Sequence, residues 1–357
     1  MRIGLPFTSR SARTEACACP ATEQKRSSGR PSGTAGRTEA LRRSFAGLVP
    51  LHVAASAGDR PRMLQDVPDA PHGKPVLVAY DGSGSALRAV NWALTEAASS
   101  GRPLTLAHVM RWPLPEVDAL HLAGSIHDPG HARQAANDLV RAAVARCRQA
   151  APEITIRGET LTGGAIDLLA KLSTEASLLV LGASGQTDSP QVLLGSSASE
   201  LTRRVTVPVA VIRDDDPSPT KSVVIGVDGS PAGERAVRAG FDIAARRHRR
   251  VIAVHAWSDL PLEALGIRAD DDSVRGPEDG AALLATQLSQ VRRSYPQVQV
   301  EEVVVLDRPT RALLDLAAGA ALLVVGRHGR ARTGDTPLGS VCHAVLHYAP
   351  CPVLLTV

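Results

Sequence analysis

The sequence predicts two tandem α/β domains, each built on a parallel, doubly wound sheet with helices on both faces. Three observations predict it. First, one unit occurs twice. KPVLVAYDGSGSALRAVNWA at 74–93 matches KSVVIGVDGSPAGERAVRAG at 221–240, and LLVLGASGQTDSPQVLLGSS at 178–197 matches LLVVGRHGRARTGDTPLGSV at 322–341. VPVAVI at 207–212 matches CPVLLTV at 351–357. The offset is 147 at Asp81/Asp228 and 144 at Gly182/Gly326, so a whole domain is repeated. A solenoid would repeat every ~20–50 residues. Second, short continuous apolar runs such as LLVLG and ALLVVG indicate strands covered on both faces. Third, these runs alternate with helical stretches, the pattern of a parallel sheet with right-handed crossovers.

In the first copy, strands are expected at 76–81, 103–110, 154–161, 177–182 and 207–212. Helices are expected between them at 84–99, 129–150, 164–175 and 195–205. The second copy repeats this with strands at 222–228, 250–257, 298–306, 321–326 and 351–356 and helices at 231–246, 278–293, 309–319 and 339–348. The first strand of each copy stops at Asp-Gly-Ser, which suits an Asx turn or a helix cap. The fourth stops at glycine, and Pro-Val (Pro208-Val209, Pro352-Val353) leads each last strand. The two last strands, 207–212 and 351–356, are apolar sheet edges, so the copies are expected to associate through them. The charged, proline-containing stretch 214–220 (DDDPSPT) reads as a linker. The domains are thus expected at 63–213 and 221–357.

Residues 1–62 stand apart. They hold 11 Lys and Arg against 4 acids and are rich in Ser, Thr, Gly and Ala without a sustained period. Such a segment cannot bury a core and is expected to be a disordered basic tail. The remainder carries 29 basic and 32 acidic residues, so the body is mildly acidic despite the overall charge of +4. That balance, with aromatics at only 3%, argues against a nucleic-acid-binding domain. No apolar run of about 18 residues is present, so no membrane span is expected. The five cysteines include no CxxC pair and no histidines at ligand spacing, which speaks against a disulfide framework or a metal site and suits a reducing cytoplasm.

In open parallel sheets ligands bind beyond the carboxyl ends of the strands. After each fourth strand stands Gly-x2-Gly-x9-Gly-Ser: Gly182, Gly185, Gly195 and Ser196, then Gly326, Gly329, Gly339 and Ser340. The first two glycines let the backbone turn and approach a bulky anion. The third opens a helix whose N–H groups and dipole attract phosphate. An ordinary strand–turn–helix is the competing explanation, and the second occurrence weighs against it. Asp81 and Asp228 can accept from ribose or adenine, or serve the local turn. Val109 and Ala256, late in the second strands, are candidate walls for an adenine, and Asp259 is a weaker candidate just beyond. His108 and His255, late in the second strands, read as packing or wall residues rather than bases, and His328 as either a phosphate contact or a solvated loop residue. The loop 327–338 has a net charge of +2 from Arg327, Arg330, Arg332 and Asp335, against −1 for 183–194, so the second copy is expected to bind phosphate more tightly. The dinucleotide fingerprint is incomplete, and P-loop, nucleophile-elbow and HExxH motifs are missing. No catalytic residue is nominated.

The paired Asp-Gly-Ser segments, the two G-x2-G-x9-G-S motifs and the Pro-Val strands resemble the universal stress proteins, in the tandem form of the adenine-nucleotide-binding type. The resemblance covers residues 74–357. It implies Rossmann-like domains of the adenine nucleotide α-hydrolase-like kind, with five strands ordered 3-2-1-4-5 and association through the last strand. It also implies a cytoplasmic location, bound ATP with Mg2+ as a candidate companion, slow or no hydrolysis, and room for a homodimer. The turns after the third strands, Thr162-Gly163-Gly164 and Asp307-Arg308-Pro309, depart from the family's Gly-x-Pro-like turn. The candidate binding set is Ala79, Asp81, Val109, Gly182, Gly185, Gly195, Ser196 and Ser197 in the first copy. In the second it is Gly226, Asp228, Ala256, Asp259, Gly326, Arg327, His328, Gly329, Arg330, Arg332, Gly339, Ser340 and Val341. A stress-response regulatory protein is the first functional expectation. An ATP-using enzyme of the same fold class is the alternative, but it needs an acid–base pair or nucleophile that no motif supplies.

Overall fold

A computed structural model of the chain describes residues 73–110, 129–185, 194–213, 221–256, 277–329 and 338–357. The expected tail at 1–62, the linker 214–220, Asp259, Arg330 and Arg332 lie outside the described residues. The first half runs β1 (Val76–Ala79), α1 (Gly84–Ser100), β2 (Leu104–Met110), α2 (Pro129–Ala150), β3 (Ile156–Thr162), α3 (Ala165–Ser173), β4 (Leu178–Gly182), α4 (Ser196–Arg204) and β5 (Val209–Ile212). The second runs β6 (Ser222–Gly226), α5 (Pro231–Arg246), β7 (Val251–Ala256), α6 (Pro277–Ser294), β8 (Val300–Val305), α7 (Pro309–Ala317), β9 (Ala320–Gly326), α8 (Ser340–Tyr348) and β10 (Val353–Thr356).

Each half has the strand order 3-2-1-4-5, and the two sheets join into one of ten strands, β3-β2-β1-β4-β5-β10-β9-β6-β7-β8. Pairing is parallel within each half. The seam is antiparallel: Val209, Ala210 and Val211 of β5 face Leu355, Leu354 and Val353 of β10. That seam covers the edge which either last strand would otherwise present.

Apolar runs become strands here because side chains alternate between two covered faces. Val76 and Val78 of β1 point into a cluster with α1, α2, α5 and α6, while Leu77 points into a second cluster with α3, α4, α7 and α8. Both clusters cross the seam, with Ala210 and Leu354 in the first and Val211 and Val353 in the second. The helices start where the sequence supplies a cap. Ser83 Oγ accepts from Ala86 N at 3.0 Å to open α1, and Ser230 Oγ accepts from Gly233 N at 3.0 Å, ahead of Pro231, to open α5.

The halves also meet through α1 and α5. Glu96 on α1 is only 5% exposed. Its Oε1 accepts from Arg246 Nη2 at 2.6 Å and its Oε2 from Arg247 Nη2 at 2.7 Å. Arg246 also donates to Ser99 Oγ at 2.7 Å, and the Arg247 guanidinium sits 4.7 Å from the Trp92 ring centre. Burial pulls the Arg247 guanidinium down from its ordinary value, against the opposing charge of Glu96. No sequence motif marks this cluster.

Candidate functional site

Each site grows from a tight turn. β1 runs into Asp81-Gly82-Ser83, and Gly82 takes φ +84°; β6 runs into Asp228-Gly229-Ser230, and Gly229 takes φ +75°. Only glycine holds that backbone without strain. The turn consumes one carboxylate oxygen of each aspartate. Asp81 Oδ1 accepts from Ser83 N at 2.9 Å, and Asp228 Oδ1 accepts from Ser230 N at 3.0 Å and Ser230 Oγ at 2.7 Å. The other oxygen lies by the second glycine of the motif. A methyl group on Gly185 would stand 3.6 Å from Asp81 Oδ2, and one on Gly329 would stand 3.0 Å from Asp228 Oδ2.

A histidine from the neighbouring strand fixes this strand end. His108 Nδ1 lies 2.7 Å from the Tyr80 carbonyl oxygen, and His255 Nδ1 lies 2.7 Å from that of Val227. A carbonyl only accepts, so the proton sits on Nδ1 in both rings. These histidines thus hold the residue just before each aspartate, a role beyond the packing expected of them. The repeat at matching positions was the signal that could have found it. Val109 and Ala256 are half-buried on β2 and β7, two residues beyond the last pairings Ala79–Ala107 and Gly226–Val254. Ala79 and Gly226 end the first strands; a methyl on Gly226 would meet Val325 and Leu313 of the core at 3.2 and 3.3 Å.

The three glycines of the motif have different jobs. A methyl on Gly182 would fall 2.6 Å from Ser85 Oγ and 2.8 Å from the Ser85 carbonyl carbon, and one on Gly326 would fall 2.7 Å from the Ala232 carbonyl carbon. The first glycine therefore lets the fourth strand pass against the opening turn of α1 or α5. This is a packing role beyond the anion approach expected of it. The third glycine closes the loop: Gly195 N donates to Ala183 O at 2.7 Å, and Gly339 N donates to Arg327 O at 3.0 Å. It is also the N-cap of α4 or α8, with extended backbone and no side-chain cap. The first internal amide bonds of these helices are Ser199 N to Gly195 O and His343 N to Gly339 O, both at 2.9 Å, so the amides of Ser196 and Ser197, and of Ser340 and Val341, precede them. A methyl on Gly195 would stand 3.7 Å from Gly185 N, and one on Gly339 would stand 3.6 Å from Gly329 N. The second-glycine amide and the open helix start thus lie side by side at one candidate anion site in each half, toward which a side chain at the third glycine would project. Ser196, Ser197 and Ser340 are exposed at its rim, and Val341 is half-buried against the core.

Arg327 requires a correction. Its side chain was expected to add positive charge to the phosphate loop. It is 6% exposed and crosses the seam, where Nη1 donates to the Val205 carbonyl at 2.6 Å. Burial lowers its pKa from the ordinary value, and Cys342 beside it acts in the opposite sense. Without Arg327, the loop's expected advantage rests on Arg330 and Arg332. His328 offers its backbone: its carbonyl accepts from Ser230 Oγ at 3.3 Å.

Among the described residues no group of three or more His, Cys, Asp or Glu gathers into a metal-sized cluster. Burial pushes the Cys147 thiol up to about 11 and those of Cys342 and Cys351 up to about 12, so all three are protonated thiols at neutral pH. No helix among the described residues is long and apolar enough to cross a membrane.

The family model described as the universal stress protein family matches residues 73–213 and again 219–356. This chain belongs to the universal stress protein family. A universal stress protein of Mycobacterium tuberculosis H37Rv is 38% identical over 299 residues, covering 81% of this chain and 98% of that one. A second from the same strain is 35% identical over 292 residues, covering 78% and 95%. The crystal structure of a universal stress protein from Archaeoglobus fulgidus DSM 4304 superposes with a TM-score of 0.60 at 17% identity, over 80% of this chain and 98% of that one. That likeness shows the fold. The two matched spans coincide with the two halves, so each universal stress protein domain carries one full set of turn, histidine, loop and open helix start.

Proposed function

We propose that this universal stress protein is a nucleotide-binding regulator with one adenine-nucleotide site in each half, ATP being the ligand, and with slow or no turnover. One observation carries the reading. In both halves, at nearly matching distances, the second-glycine amide lies beside an uncapped helix start that a third glycine leaves without a side chain. A backbone amide beside the open start and positive dipole end of a helix suits a phosphate group. Gly185 with Ser196 and Ser197, and Gly329 with Ser340 and Val341, would hold the phosphates. Asp81 and Asp228 stand beside them for a ribose hydroxyl, and the Val109 and Ala256 walls suit the base. When bound, the nucleotide would supply a charge and shape that partners can sense. The chain's own part is to hold and orient it.

The test is stoichiometry. Gently purified protein should release adenine nucleotide detectable by mass spectrometry, and calorimetric titration should find two ATP equivalents. Gly195→Asp and Gly339→Asp each place a carboxylate at a helix start, against the dipole, and each should remove one equivalent while the fold persists. Two equivalents retained by the double variant would overturn the reading, and fast ADP production would replace the regulator with an enzyme.

A further inference from the structure

Because β5 and β10 run antiparallel, the strands of the two halves end in opposite directions. Each half's phosphate-facing helix therefore points its carboxyl end toward the other half's site. Two arginines bridge there. Arg327, in the loop of the second site, donates from Nη1 to the carbonyl of Val205, the C-cap of α4, at 2.6 Å. Arg213, just past β5 beside the first site, donates from Nη2 to the carbonyl of Leu346 in the last turn of α8. Four residues after Leu346 comes Pro350, which has no N–H, so that carbonyl cannot be satisfied within a continuing helix.

These contacts close a ring. Gly339, the N-cap of α8, donates to Arg327 O, and the Arg327 side chain holds the far end of α4. Gly195, the N-cap of α4, donates to Ala183 O. Ala183 N donates at 2.9 Å to the carbonyl of Ile212, the residue before Arg213, and the Arg213 side chain holds the far end of α8. Two short helices, three backbone ties and two arginine contacts thus make one continuous circuit through both sites.

We propose that the two sites are coupled through this ring, each half's phosphate-facing helix being positioned by an arginine rooted in the other half's site. The proposal rests on the nucleotide reading of the loops for its ligand, though not for the ring itself. Guanidinium at a helix carboxyl end complements the dipole and fixes the helix axially. The Arg327 contact is also poised to shift. Its Nε and Nη2 groups are buried with no acceptor among the described residues, so one hydrogen bond holds a partly satisfied cation. A displacement of Arg327 at the second site is passed to α4, and so to the first site, as coupling through a contiguous network requires. Position 183 of the first half is alanine where the second half has Arg327, so the arginine relay at that position runs only from second site to first. Arg213 provides the return path.

The experiment uses the full chain in two measurements. Hydrogen exchange without ligand should show the α4 amides opening about fivefold faster in Arg327→Met, with Arg327→Lys close to the parent. The α8 amides should respond likewise to Arg213→Met. In a chain limited to the first site by Gly339→Asp, Arg327→Met should weaken ATP binding about fivefold, the low end of coupling between sites, and Arg327→Lys should restore it. Unchanged α4 and α8 exchange in both Met variants would overturn the coupling, as would first-site ATP affinity unaffected by Arg327→Met. Altered exchange in chains that bind no ATP would instead uphold the ring and discard the nucleotide reading.

Discussion

Gly182 and Gly195 belong to one motif and answer to different forces. At Gly182 a β-carbon would lie within 2.9 Å of backbone and hydroxyl atoms of Ser85, which the helix cannot easily move. At Gly195 the nearest atom would be 3.5 Å away, an ordinary contact. Gly182→Ala should therefore destabilise the protein by about 1–3 kcal/mol, the cost of overpacking. Gly195→Ala should leave melting unchanged within about 0.5 kcal/mol and weaken nucleotide binding. Thermal melting together with titration checks both, and equal melting of the two variants would count against this division. The residue scale also holds a pH response. Burial first, then the charges of His343, Arg213 and Arg203, lower the His347 pKa below its ordinary 6.5. The folded state thus takes up its proton later than the unfolded one. Stability from this group is fully present above about pH 6.5 and is lost as pH falls through that value toward the lower folded pKa. His347→Gln should flatten the pH dependence of melting in that window, and an unchanged slope would show that His347 does not contribute.

At the scale of elements, the α1–α5 contact is ionic where its surroundings are apolar. Two arginines converge on the buried Glu96 carboxylate, and Asp242 Oδ2 also accepts from Arg246 Nη2 at 3.0 Å, so two acids balance two guanidinium groups. Removing the Glu96 carboxylate leaves the buried Arg247 guanidinium without its acid partner, while Arg246 keeps Asp242. Glu96→Leu should cost about 3–5 kcal/mol, readable from denaturant midpoints, whereas Arg250→Ala, at an exposed pair 3.8 Å from Glu301, should cost less than about 1 kcal/mol. Comparable losses in the two variants would mean that the α1–α5 contact is dispensable. The sequence could not announce this cluster. Positions 147 residues before Arg246 and Arg247 are Ser99 and Ser100, so the repeat does not carry it. An ion pair between distant segments leaves no periodic trace. The helices and strands themselves were legible, to within one or two residues at most ends, because local apolar periodicity and caps set them.

At the scale of the molecule, both core clusters run through the seam, so the apolar cores of the two halves are continuous. Unfolding of the described body should be one cooperative transition in calorimetry, with agreeing calorimetric and van 't Hoff enthalpies. Two resolved transitions would show that the halves are independent. Leu354→Asp, which places a carboxylate in the cluster shared by β10, α1 and α5, should lower that single transition for both halves together.

The sequence by itself determined the repeat, the order of elements, the turn glycines and the loops at the strand ends. Each of these depends on neighbours a few residues apart or on comparing one copy with the other. It also singled out the last strands as exposed edges. Only the tertiary structure decided the antiparallel register of β5 on β10, the turning of Arg327 away from its own loop, the close packing that makes Gly182 and Gly326 obligatory, and the cluster around Glu96. A charged side chain in a loop has several places to go. Which one it takes depends on the acceptors that folding brings within reach. For Arg327 that acceptor is the Val205 carbonyl, 122 residues away in the chain and 2.6 Å away in space.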